Sequence, residues 1–182
     1  QSMANAGKRG DGSMAAIVGL DDEIIFKICN DFEGYKKVVP ANYNSPGQVV
    51  ISGHNEAVEW AMDIAKKKGA RICVKLNVSG AFHSPLMQPA RKKLSEVINT
   101  SSISDAIYPV YTNTNATPVI KSAEIKSSLI QQLEKPVLWS KTIEAIEKSG
   151  VNNFYEAGPG NVLKGLNKRI NRKLPTISYG TF

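Results

Sequence analysis

Histidine and cysteine are scarce in this chain of 182 residues, which has two of each. Cys29 and Cys73 sit inside apolar segments with no CxxC or Cys/His spacing, which argues against a disulfide framework and a zinc site and predicts two buried, reduced thiols. No apolar run reaches the roughly 18 residues that a spanning helix requires, so a membrane protein of that kind is excluded. Residues 1–13 contain no apolar h-region, so they are not a secretory signal and read instead as a Gly/Lys-rich loop. Without a signal and with free thiols, a cytoplasmic or organellar-matrix location is expected. A chain that opens on a loop without an initiator methionine is expected to be a piece of a longer protein.

What is present suffices for a packed core: 42% of residues are hydrophobic and 21% are charged, a balance that also argues against disorder. Lys and Arg outnumber Asp and Glu by 23 to 16, a formal charge of +7. This excess fits an acidic protein, a phosphate-bearing small molecule or nucleic acid, and equally a solvated surface.

From Met14 the periodicity alternates. Residues 14–20 read as a strand, and residues 23–31 as a helix with Asp21 and Asp22 at its cap and first turn. Residues 38–43 and 48–52 read as a hairpin around Asn44-Ser-Pro-Gly47. A second helix runs from a cap at Asn55 to Lys68, Gly69 ends it, and residues 71–76 form a strand. This βαββαβ order predicts a ferredoxin-like unit over residues 13–78, after a loop over 1–12. The remainder reads as helix 86–99, strand 108–112, helices 122–133 and 139–149, strand 153–156, helix 162–171 and a short strand 175–178. Strands separated by helices predict a parallel sheet. Three strands are few for a sheet that needs cover on both faces, so part of it is expected to lie outside the chain.

Candidate chemistry centres on Val78-Ser-Gly-Ala-Phe-His-Ser-Pro-Leu-Met87, where His83 precedes a cap (Ser84) and a favoured first helical residue (Pro85). Such a histidine is either a hydrogen-bonded turn residue or a base. Read with Asn42-Tyr-Asn-Ser-Pro-Gly-Gln48, Gln132-Leu-Glu-Lys-Pro-Val-Leu-Trp139 and Glu156-Ala-Gly-Pro-Gly160, this loop resembles the histidine half of the malonyl-CoA:acyl carrier protein transacylases, acyltransferases of fatty acid synthesis. The resemblance runs from Gln1 to about Ser178.

The resemblance implies an α/β fold in which the ferredoxin-like subdomain is an insertion and residues 79–182 are the C-terminal part of an α/β-hydrolase-like parallel-sheet domain. It implies that His83 is the general base of a Ser-His ping-pong transfer of malonyl from malonyl-CoA to the phosphopantetheine thiol of an acidic acyl carrier protein, with no bound cofactor and no metal. An imidazole, which ordinarily titrates near neutrality, suits both half-reactions. By the same resemblance the main-chain carbonyl of Gln132 accepts the His83 ring N–H, Phe82 restricts the pocket to malonyl, and Asn42 and Asn44 line the acyl or pantetheine channel. From the residues alone, Gln132 also fits an exposed helix position, Phe82 a core position, and the two asparagines a turn. The Gly158-Pro-Gly160 loop ahead of a helix could present backbone N–H groups to an anion. His54 reads as structural. Lys164, Lys168, Arg169, Arg172 and Lys173 suit a carrier protein or a solvated face.

No GxSxG occurs in the chain; Gly12-Ser-Met-Ala-Ala16 lacks the second glycine. The nucleophile is therefore expected in a missing N-terminal portion of the same enzyme, and the chain alone is expected to be inactive. Two other classes compete: an acyltransferase-like docking scaffold, and a basic ferredoxin-like module for RNA. Against the second, residues 14–18 and 48–52 offer no aromatic platform for bases, so neither nucleic acid nor membrane is expected as a partner.

Overall fold

A computed structural model describes residues 10–180; most of the loop expected over 1–12, and the last two residues, lie outside that range. The elements begin β1 (Gly12–Val18), α1 (Asp22–Asn30), β2 (Val38–Ser45), β3 (Gln48–His54), α2 (Asn55–Lys67) and β4 (Ile72–Lys75). The four strands make one antiparallel sheet in the order β2-β3-β1-β4. Strand side chains alternate between faces. Ala15, Ile17, Val49 and Ile51 point toward α1 and α2, where they meet Ile25, Ile28, Ala57, Val58, Ala61 and Ala65 in one core. Met14 and Val50 point the other way and pack with Ala41, Leu76 and Phe82. The sheet therefore has helices on one face and the histidine loop on the other.

Two glycines shape this arrangement. Gly47, at φ 68°, closes the Pro46-Gly47 turn between β2 and β3 in a left-handed conformation that costs glycine little. A Cβ at Gly12 would stand 2.7 Å from the Ala81 Cβ, so only glycine lets the histidine loop lie so close to β1.

Several local expectations change. Asn55 is the first residue of α2, and His54 occupies the cap position without a side-chain cap bond. The Asn55 amide instead donates to the Gly10 carbonyl at 2.7 Å, tying down the chain that enters β1. Asp21 holds the cap position of α1 but makes no cap bond through its side chain. Both cysteines are free; Cys29 is buried, and burial pushes its thiol up to about 12. Cys73 is only half-buried, because β4 is the edge strand of the sheet.

Beyond β4 come a 3₁₀ turn (Pro85–Met87), α3 (Gln88–Thr100), β5 (Val110–Tyr111), β6 (Pro118–Val119), α4 (Ser122–Gln131), α5 (Trp139–Lys148), β7 (Phe154–Ala157), α6 (Val162–Ile170) and β8 (Thr176–Tyr179). β7 and β8 pair in parallel, Phe154 opposite Thr176. The strand expected over 108–112 does not join them. It shortens to β5 and pairs antiparallel with β6, since the chain reverses between them, Ala116 sitting at φ 54°, with no helix to carry it across. Tyr108, where that strand was expected to begin, is exposed and lies outside β5. Among the described residues no helix is long and apolar enough to cross a membrane.

Candidate active site

Ser84 sets the local geometry of the histidine loop. Its hydroxyl donates to the Ala81 carbonyl at 2.7 Å and accepts the Leu86 N–H at 3.3 Å, and Pro85 opens the 3₁₀ turn. His83, just before it, sits at φ 57°. A non-glycine residue keeps this left-handed conformation only when its surroundings impose it.

The constraint comes from the end of α4, whose last carbonyls have no partners within the helix. The Gln132 carbonyl accepts from His83 Nδ1 at 2.7 Å, and the Leu133 carbonyl accepts the His83 backbone N–H at 3.0 Å. The Lys135 carbonyl lies 3.2 Å from Nδ1. Carbonyls only accept, so the neutral imidazole carries its proton on Nδ1 and keeps the Nε2 lone pair free. A half-buried histidine in this tautomer can take a proton at Nε2 while its ring stays fixed.

The carbonyl-bearing loop is itself held. Val137 donates to the Ala41 carbonyl and accepts from the Tyr43 N–H, both at 2.8 Å, closing the outer edge of β2. Arg91, on α3, pairs with Glu134 at 2.7 Å. Sequence reasoning missed Leu133, Lys135 and Val137 because each acts through backbone atoms, and it missed Arg91 because its partner is 43 residues away. One signal was available: the Lys135-Pro136 pair, which stops a helix and frees its terminal carbonyls.

The remaining expected residues are placed unevenly. Phe82 bridges two apolar clusters, Met14, Ala41 and Val50 on one side and Met87, Ala90 and Leu133 on the other, while staying partly exposed. Asn42 stands opposite Val50 and beside Val137, so it shares the Phe82 side of the sheet. Asn44 falls at a register irregularity near the turn. Among the described residues neither asparagine side chain is hydrogen-bonded to His83. His54 accepts the Lys37 N–H at Nδ1 at 2.9 Å, a structural bond.

At the C-terminal end, Lys164, Lys168, Arg169, Arg172 and Lys173 are all exposed, and Arg169 reaches Gln48 on β3. The start of α6 is not open to an external anion. The Glu156 carboxylate already accepts the N–H groups of Leu163 at 2.9 Å and Lys164 at 3.0 Å, with the Ser178 hydroxyl at 3.1 Å. The Lys164 N–H, followed by that of Leu163, holds the Glu156 carboxyl below its usual range. This corrects the reading of Gly158-Pro-Gly160 as an anion receptor, since the anion is the chain's own. Among the described residues no group of three or more His, Cys, Asp or Glu side chains could hold a metal.

Residues 2–173 match the acyl transferase domain family, and the chain belongs to that family. Within it, the chain is 44% identical over 177 residues to the malonyl CoA-acyl carrier protein transacylase of Bacillus subtilis (strain 168), covering 97% of this chain and 56% of that protein. It superposes with a TM-score of 0.92 on the malonyl CoA-acyl carrier protein transacylase of Coxiella burnetii, at 40% identity, covering 97% of this chain and 57% of that one. It superposes equally well, TM-score 0.92 at 38% identity, on a malonyl-transacylase solved in complex with a type II PKS acyl-carrier protein, covering 96% of this chain and 58% of that one. The chain thus spans little more than half the length of the relatives it matches.

Proposed function

We propose that this chain supplies the histidine half of an enzyme that moves malonyl from malonyl-CoA to the phosphopantetheine thiol of an acyl carrier protein in fatty acid synthesis. The observation that carries the reading is the 2.7 Å contact between His83 Nδ1 and the Gln132 carbonyl, which leaves Nε2 as the free base. In the first half-reaction Nε2 takes the proton of a serine hydroxyl as its oxygen attacks the malonyl thioester, and returns that proton to the departing CoA thiolate. In the second, Nε2 takes the proton of the phosphopantetheine thiol, the thiolate attacks the malonyl-serine ester, and the proton goes back to the serine oxygen. One imidazole serves both directions.

The 182 residues contain no GxSxG, so this reading assigns them the base and not the nucleophile. Residues 13–78 act as a ferredoxin-like small subdomain and residues 79–182 as part of a larger α/β-hydrolase-like one. The antiparallel order β2-β3-β1-β4 and the parallel β7–β8 pair support that division. Phe82 borders the acyl group, Asn42 and Asn44 face the channel, and the basic residues on and beyond α6 attract the acidic carrier protein. The likeness to a transacylase solved with its carrier protein supports a carrier protein as the partner.

In the full-length enzyme, His83→Ala is expected to lower malonyl transfer at least about 10²-fold, the scale of general-base catalysis. An unaffected rate removes His83 from the mechanism. The 182-residue chain by itself is expected to gain no malonyl mass when incubated with malonyl-CoA, and transfer by it alone would overturn the division of labour.

A further inference from the structure

We propose that Asn113 is a positioning residue for His83, acting through both ends of the loop that carries the histidine's acceptor carbonyls; this rests on His83 being the base. The Asn113 side-chain amide donates to Gln132 Oε1 at 3.4 Å, and its main-chain carbonyl accepts the Leu138 N–H at 2.8 Å. Gln132 opens that loop and Leu138 closes it, so one residue pins its two ends. Between them lie the carbonyls of Gln132, Leu133 and Lys135 that face His83.

The neighbours of Asn113 cannot substitute for it. Thr112 and Thr114 flank it with buried hydroxyls that have no hydrogen-bond partner among the described residues. Among the described residues the Asn115 side chain reaches only Ser128, one turn earlier on α4, at 3.5 Å. A carbonyl shared with a histidine ring fixes the tautomer only while it stays in place, which is why partners one step removed govern imidazole orientation.

The tautomer can be read without catalysis, by long-range ¹H–¹⁵N NMR of the ring nitrogens in the 182-residue chain at alkaline pH. With two histidines in the chain, His54 is the internal control. The parent is expected to show His83 protonated at Nδ1. Asn113→Ala is expected to raise the Nε2-protonated population about five- to tenfold, the scale on which one hydrogen bond holds a local equilibrium, with the His54 signals unmoved. Asn113→Asp is expected to restore the parent tautomer, because the Gln132 amide can turn and donate to the carboxylate. Gln132→Met should reproduce the Asn113→Ala spectrum, and combining the two should add nothing.

An unchanged His83 tautomer in Asn113→Ala overturns the assignment. So does an Asn113→Asp spectrum as altered as that of Asn113→Ala, or a shift of His54 together with His83, which would mark Asn113 as a folding residue. Because the reading requires no turnover, its failure is separable from failure of the transfer mechanism, which the His83→Ala rate in the full-length enzyme decides.

Discussion

Around β1 and β3 the side chains that face α1 and α2 are sealed from water, whereas β7 and β8 keep Tyr155, Ile177 and Tyr179 exposed. The first region coheres through apolar burial: Ala15, Ile17, Val49, Ile51, Ala57, Val58 and Ala61 are all fully buried. The second is held largely by polar bonds. Glu156 ties β7 to the start of α6 and to Ser178 on β8, and the buried Asn167 of α6 joins Trp139 on α5 to Thr176 on β8. Burial is non-directional and insensitive to pH, while charged hydrogen bonds are directional and titrate. The two regions should therefore fail under different insults.

The largest expected effect lies in the sealed core. Ile51 is fully buried on the central strand β3, and Ile51→Ala removes methylene contacts from a site that cannot collapse around the gap. A loss of about 2–5 kcal/mol is expected, read as a lower urea midpoint with little change in slope. A loss below about 1 kcal/mol would mean that the core is looser than its burial implies.

Acid should attack the other region first. The Glu156 carboxyl is held below its usual range by the N–H groups of Lys164 and Leu163. A group whose folded pKa is depressed contributes stability that is present above its unfolded value and is lost as pH falls through the folded one. The amide signals of Leu163 and Lys164 should therefore move together below the ordinary glutamate range, before the signals of β1 and β3 change. Glu156→Gln should abolish that titration and lower the thermal midpoint near neutral pH. A titration of those amides that survives the substitution would assign the effect to another group.

What the sequence makes legible follows the same divide. Helices and strands with local marks were readable: α1 and α2 from their apolar spacing, the Pro46-Gly47 turn, and the Ser84-Pro85 start ahead of α3. The β5–β6 pair was not, because two residues per strand carry no period and their pairing depends on a reversal at Ala116, where nothing in the residue type demands φ 54°. In the site, His83 stood out by residue type. The oxygens that grip it belong to main-chain carbonyls, which every residue has, so the Gln132 contact was reachable only through family resemblance, and those of Leu133 and Lys135 only as far as the Lys135-Pro136 pair marks carbonyls freed at a helix end. Glu156 was obscured differently: its partners lie seven and eight residues on, across the Gly158-Pro-Gly160 turn, and that turn looked like the receptor rather than the connector.

The smallest expected effect tests the exposed side of the comparison. Tyr155 is 61% exposed, and its ring lies 5.7 Å from that of Tyr179, so it forms an aromatic pair on an open face. Exposed pairs of this kind lose much of their value to water, and surface substitutions away from special features stay near ±0.5 kcal/mol. Tyr155→Ser should therefore cost less than about 1 kcal/mol in urea unfolding of the 182-residue chain, well below Ile51→Ala. A parallel pair is stable when both of its faces are covered, and here α6 packs against β8 while Tyr155 and Ile177 face outward. Should Tyr155→Ser cost as much as a core truncation, that outward face is covered in solution. The contrast between a sealed sheet and an open strand pair would then hold for a single copy and not for the chain in solution, and a cost that rises with protein concentration would identify the cover as a second copy.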